Sequence, residues 1–181
     1  MPSYTSERTW ATGDTVSASD LNTYLRDNVD YLKGKVDGIS YSGCSLTRVA
    51  ATSIADSTYT AITWTTERQD VGAWFTSGTT ITVPAGAIPS GSTTIAIKVE
   101  MRTIFASNAT GRRRVRLLKN GSAFRSPSVS AVNGDETEMV ATGVEFVVAG
   151  DTITVEVYQN STGSLNVSDT IVDVYRLGPV D

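Results

Sequence analysis

Residues 95–105 read IAIKVEMRTIF. In an extended chain Ile95, Ile97, Val99, Met101 and Phe105 fall on one side, and Lys98, Glu100 and Arg102 on the other. That period of two belongs to a strand with one face on a core and one in water, as in an antiparallel sheet. The pattern recurs. In DTITVEVYQN (151–160), Ile153, Val155 and Val157 face in, while Thr154, Glu156 and Tyr158 face out. Ile62 and Trp64 share a face in AITWTT (61–66), as do Ile81 and Val83 in TTITVP (79–84).

Turn chemistry separates these runs. Asn120-Gly121 joins RRRVRLLK to SAFRSPSVS, and Asn-Gly is the strongest short hairpin signal. Asn133-Gly134-Asp135 and Ala149-Gly150-Asp151 mark two more turns, and Pro84 and Pro89 lie in a Gly- and Ser-rich connection. About eight to ten short strands with regular turns predict an all-β antiparallel sandwich or barrel, with a jelly roll as the leading version. In the last strand Ile171, Val172, Val174, Tyr175 and Leu177 place apolar groups on both faces. A strand wet on one face has no need of that, so this one is central in its sheet or covered on its outer side.

The β character starts near residue 41. Before it, TVSASDLNTYLRDNVDYLKGKV (15–36) reads as one helix. Ser17 and Asp20 form a capping-box pattern at its start. Ala18, Leu21, Leu25, Asn28 and Leu32 follow a three-four spacing, Val29 widens the stripe, and Gly34 is placed to end it. A helix of about 17 residues is marginal alone in water, so the stripe needs cover from the β body, from copies of itself, or from a partner. Asn28 matches the polar seam residue that sets register in short coiled coils. Residues 1–14 are polar apart from Trp10 and read as an extended arm. The expected organisation is an arm (1–14), a helix and linker for attachment or trimerisation (15–40), and a jelly roll (41–181).

Composition narrows the function classes. The chain has 181 residues, a net charge of −4, no His and one Cys. Without His, the Ser/His/Asp and Cys/His nucleophile systems are excluded. Cys44 alone permits neither an intrachain disulfide nor a Cys-based zinc site. The acidic groups Glu67 with Asp70, and Asp135 with Glu136 and Glu138, adjoin turns and read as solvated loop charge, with no calcium-loop spacing. No catalytic, cofactor-binding or metal-ligating residue is expected. MPSYTSERTW lacks the basic and apolar regions of a secretory signal, and no apolar run approaches the roughly 20 residues of a membrane span.

GRRRVR (111–116) is the one basic cluster. Arg112, Arg114 and Arg116 project from one face of a strand, and Arg113 from the other beside Val115 and Leu117. No aromatic is interleaved along the run and the chain is acidic, so no nucleic-acid partner is expected. Pairing with Glu100, Glu138 or Glu156 is the better use of the row, and binding of an anion is the other.

Two resemblances follow. GRRRVRLLKNG (111–121), VVAGDTITVEVYQNSTGSLNV (147–167), VYRLG (174–178) and IADSTYTAITWTTERQD (54–70) together resemble the globular heads of complement component one-q. Those heads belong to the tumour-necrosis-factor superfamily of trimeric jelly rolls. The likeness spans roughly residues 44 to 178 and implies a homotrimer, with Tyr158, Leu165 and Val167 as interface candidates. RTWATGDTVSASDLNTYLRDNVDYLK (8–33) resembles the opening of tailed-bacteriophage virion proteins. The shared pattern is carried by Trp10, Gly13, Val16, Ala18, Leu21, Asn22, Leu25, Arg26, Asp27, Asn28 and Leu32.

The combined expectation is a non-enzymatic phage virion protein, assembled in the host cytoplasm. Trp10, Leu21, Leu25, Asn28 and Leu32 would attach it to other virion proteins or bundle its helices. The trimeric jelly roll would form a fibre or knob for a host-surface glycan or protein. A capsid decoration protein and a bacterial carbohydrate-binding module are the alternatives.

Overall fold

Ile95–Phe105 forms a single eleven-residue strand, β6, in the computed structural model. The model describes residues 5, 9–37, 41–132 and 134–180. Its odd-numbered side chains are buried and, from Lys98 on, its even-numbered ones are half exposed, as the alternation requires. Twelve strands are present among the described residues: β1 (Gly43–Arg48), β2 (Thr52–Ile54), β3 (Thr60–Ala61), β4 (Thr66–Val71), β5 (Thr80–Thr82), β6, β7 (Arg112–Lys119), β8 (Ser122–Arg125), β9 (Ser128–Ser130), β10 (Thr137–Val147), β11 (Thr152–Gln159) and β12 (Leu165–Pro179). The surplus over the expected eight to ten comes from two- to four-residue edge strands, too short to display a period.

Two antiparallel sheets form. The first has the order β10-β6-β12-β1-β4, with β2 added to β12. The second has the order β3-β11-β7-β8, with β5 added to β11 and β9 to β7. Their inner faces enclose one core that includes Leu46, Ile62, Trp64, Trp74, Ile97, Phe105, Leu117, Val155 and Val174. Burying each such side chain stabilises the fold by about 1.5–3 kcal/mol. This is a jelly-roll sandwich. β12 lies between β6 and β1, the central position that its two apolar faces indicated.

The last strand changes phase midway. Its register against β6 shifts between Ser168 and Ile171, and Asp169 takes a positive φ of 45°. Before this bulge Leu165 and Val167 point inward; after it Val172 and Val174 do, leaving Ile171, Asp173 and Tyr175 on the outer face.

The N-terminal helix comprises α1 (Ala18–Leu21), a π-helical turn (Asn22–Arg26) and α2 (Asp27–Asp37). Ser17 Oγ accepts from the Asp20 N–H, and the Asp20 carboxylate accepts from the Ser17 N–H, so the capping box is complete. The helix runs past Gly34 to Asp37. A glycine within a helix costs only about 1 kcal/mol, which does not force an end there. Of the turn expected at Asn133-Gly134-Asp135, Asn133 lies outside the described residues; Gly134 has a φ of 78°.

Candidate functional site

Three exposed surfaces carry the groups that could meet a partner. The helix supplies the first. Leu21, Leu25, Val29 and Leu32 are 48%, 58%, 60% and 55% exposed, so the β body of the same chain does not cover the stripe. Asn28 is not on that open face. Its Oδ1 accepts from the Thr5 N–H at 2.9 Å and its Nδ2 donates to the Thr5 carbonyl at 3.1 Å. The amide thus mimics a strand partner and clamps the arm on the helix, which replaces the seam role expected of it. Trp10 sits edge-on to Tyr24, with ring centroids 6.3 Å apart. Arm and helix form one unit whose leucine side stays bare.

The outer face of the first sheet is the second surface. β10 presents Val140, Val144 and Phe146, which are 58%, 55% and 57% exposed. Across β6 the face carries charge. Lys98 Nζ is 2.7 Å from Glu100 Oε1, and Arg102 Nε donates to Glu138 Oε1 at 2.6 Å. The Lys98 hydrogen bond holds the Glu100 carboxyl below its ordinary range, and Arg102 does the same for Glu138. On β12 the Tyr175 hydroxyl donates to Glu100 at 3.3 Å. Burial, then Asp173 and Glu100, push that hydroxyl up to about 12. Tyr41 packs edge-on to Tyr175 at 6.5 Å. A shallow depression of about 300 Å³ lies between Arg68, Glu100, Arg102, Val140, Ile171 and Asp173.

The outer face of the second sheet is the third. Arg112, Arg114 and Arg116 project outward from β7, and Arg113 is fully buried on the other side with Val115 and Leu117. Registry places Arg114 opposite Tyr158 and Arg116 opposite Glu156. Arg116 Nε donates to Glu156 at 3.1 Å, the pairing expected of the row. The space around the arginines is aromatic, although the run itself is not. The Arg116 guanidinium lies 3.4 Å from the Tyr59 ring centroid, Arg114 lies 5.3 Å from that of Tyr158, and the two rings are 4.8 Å apart. Tyr59 comes from the loop before β3, which pairs with β11, so only the fold brings it there.

The residues expected at the interface divide. Tyr158 is half exposed in this Arg–Tyr cluster. Leu165 and Val167 are 7% and 1% exposed and belong to the protomer's own core. The bulge after them explains this, since it turns their phase inward. Among the apolar groups that do face solvent, Val140, Val144 and Phe146 form a row on β10 that escaped notice in the sequence. Their signal was available in TEMVATGVEFV (137–147), which is apolar on both faces.

Asp70 and Cys44 belong to the structure of the sandwich. Asp70 accepts from the N–H groups of Trp74 and Phe75 at 2.9 and 3.0 Å. Cys44 is buried, and burial followed by Asp70 and Asp173 pushes its thiol up, away from a reactive thiolate. Among the described residues no group of His, Cys, Asp and Glu could hold a metal ion.

Among solved structures, murine APRIL matches with a TM-score of 0.55 and 19% identity, over 76% of this chain and all of that one. The globular domain of zebrafish complement 1qA matches with a TM-score of 0.51 and 10% identity, over 77% of this chain and 99% of that one. The β domain therefore has a jelly-roll fold similar to those of APRIL and the complement 1qA globular domain. No family model and no curated protein matches the sequence.

Proposed function

We propose that the chain is a homotrimeric structural protein of a tailed-phage virion, anchored through its N-terminal helix and displaying its jelly roll outward to the host surface. The observation that carries this is the pair of bare apolar surfaces, Leu21-Leu25-Val29-Leu32 on the helix and Val140-Val144-Phe146 on β10. Exposed apolar clusters of this kind mark sites of association. A threefold arrangement covers the β10 surface with identical copies, with closed symmetry, and presents three helix stripes together to the virion. The virion assignment draws support from the pattern running from Trp10 to Leu32, and the trimer from the C1q-type fold. Three copies held together multiply weak contacts with a cell surface. Assembly takes place in the host cytoplasm, and the partners are further copies, other virion proteins, and a host glycan or protein.

Mass measurement in dilute native solution tests the oligomer, and a trimer is expected. Imaging the intact particle with the protein labelled tests the location. Particles depleted of the protein should keep intact heads and lose adsorption. Fragile heads with normal adsorption would replace the fibre with a capsid decoration protein, and absence from particles would end the virion reading.

A further inference from the structure

We infer that the outer face of the second sheet binds a carboxylate-bearing polysaccharide through Arg112, Arg114 and Arg116. The inference deepens the host-surface reading and rests on it in one respect: burying the first sheet between copies leaves the second facing outward.

Three arginines and one carboxylate, Glu156, occupy the centre of this face, on a chain whose net charge is −4. Arg116 is paired with Glu156, while no carboxylate is paired with Arg112 or Arg114 among the described residues. Stacking on tyrosine does not neutralise a guanidinium; it fixes the plane and leaves N–H edges free for an acceptor. The stack Arg116–Tyr59–Tyr158–Arg114 holds Arg114 in place before a ligand arrives, while Glu156 takes the Nε and Nη2 edge of Arg116, so Arg112 and Arg114 are the arginines left without a carboxylate and Arg116 adds charge to the row.

Alternate residues on β7 are about 6.8 Å apart, so the cations form a line rather than a point and suit a polymer with repeating charge. Beside the line, β9 places Ser130 opposite Arg112 and Ser128 opposite Arg114. Registered cross-strand pairs share a face, so both serine hydroxyls flank the row and can bond sugar hydroxyls. Glu156 adds an acceptor for a sugar O–H. A single-stranded nucleic acid is the less suitable polyanion. It needs open ring faces for base stacking, and here the rings face each other and the guanidinium groups.

The test titrates the full chain with polygalacturonate, with its fully methyl-esterified form, and with oligothymidylate, by calorimetry at low and high salt. Polygalacturonate should bind, more weakly as salt rises, and the ester should not. Arg112→Gln with Arg114→Gln should weaken binding about tenfold or more, as expected for the loss of two charge-assisted contacts, with an unchanged melting temperature. Ser128→Glu, which sets a carboxylate beside Arg114, should do the same and serves if the double variant misfolds. Unaltered affinity in these variants, equal binding of the ester, binding of the oligonucleotide alone, or no binding at all would each overturn the inference. Mass measured on the same samples separates the two readings: a monomer that binds removes the trimer and keeps this site, and a trimer that does not bind does the reverse.

Discussion

Asn120 and Asp151 fasten two turns at one end of the sandwich, with Asn120 Nδ2 donating to Asp151 Oδ1 across 2.7 Å. Asn120 Oδ1 also accepts from the Thr152 N–H at 2.8 Å, and Asp151 Oδ2 from the Val148 N–H at 2.9 Å. Asn120 and Gly121 both have positive φ, 48° and 79°, the backbone that a two-residue hairpin needs. The LKNG and AGD motifs, separate in sequence, are thus two halves of one hydrogen-bonded corner.

That corner makes stability sensitive to acid. Burial alone would raise the Asp151 pKa; the Asn120 amide, the Val148 N–H and the Lys119 ammonium outweigh it and hold the carboxyl below its ordinary range. A depressed folded pKa contributes stability in full above the unfolded value of about 3.9 and loses it as pH falls through the folded value. Asp151→Asn should cost about 1–3 kcal/mol at neutral pH. Urea midpoints taken from neutral to acid pH should show the wild-type advantage closing below about pH 4. A gap that is constant with pH would remove the carboxylate from the account.

Arg113 provides a second stability test. It is fully buried, donating to the carbonyls of Thr110 at 3.0 Å, Arg112 at 3.3 Å and Asn108 at 2.9 Å. Its guanidinium lies 6.0 Å from the Phe105 ring centroid. The side chain therefore closes the 106–111 connection onto β7. Nearby, Gly111 has a φ of 81°, and a Cβ there would lie 2.1 Å from the Asn160 carbonyl oxygen. Arg113→Ala removes three donors and leaves a cavity, and should cost about 3–4 kcal/mol in denaturant unfolding. Arg112→Ala, one residue away and exposed, should cost under about 0.5 kcal/mol.

Long strands and local caps were legible in the sequence, while contacts made by the fold were not. β6 and β11 announced themselves because strict alternation over eight or more residues has no competing reading. The Ser17–Asp20 box was legible because both partners lie within one turn. Asn28 misled because three-four spacing locates a residue on a helix without revealing that the arm returns over it. Leu165 and Val167 were candidates by resemblance alone, and the bulge at Asp169 that separates their inward phase from that of Val172 and Val174 is a backbone event that side-chain period does not encode. The Arg–Tyr cluster was hidden for a different reason: Tyr59 and Arg116 meet only through the pairing of β3 and β7 on either side of β11.

The exposed leucines separate folding from attachment. Leu21→Asp with Leu25→Asp alters side chains that do not contribute to the jelly-roll core. The β domain should keep its melting temperature, and incorporation into particles should be lost. Incorporation at the wild-type level would show that the helix is not the anchor.

Val144 tests how the copies associate. It stands opposite Lys98 in the β10–β6 register, on the outer face of the first sheet and more than half exposed. Val144→Lys sets two ammonium groups side by side and places a charge where copies would meet. Like charges directly opposite are destabilising in a sheet, but only slightly where both reach water. Burying that extra charge between subunits costs far more, because desolvation lacks a compensating partner. The variant should therefore melt within about 1 kcal/mol of wild type as a protomer, yet run as a monomer at concentrations where wild type is trimeric. If it remains a trimer, the first sheet's outer face is not the contact, and the covering of Val140, Val144 and Phe146 must be sought in a different protein.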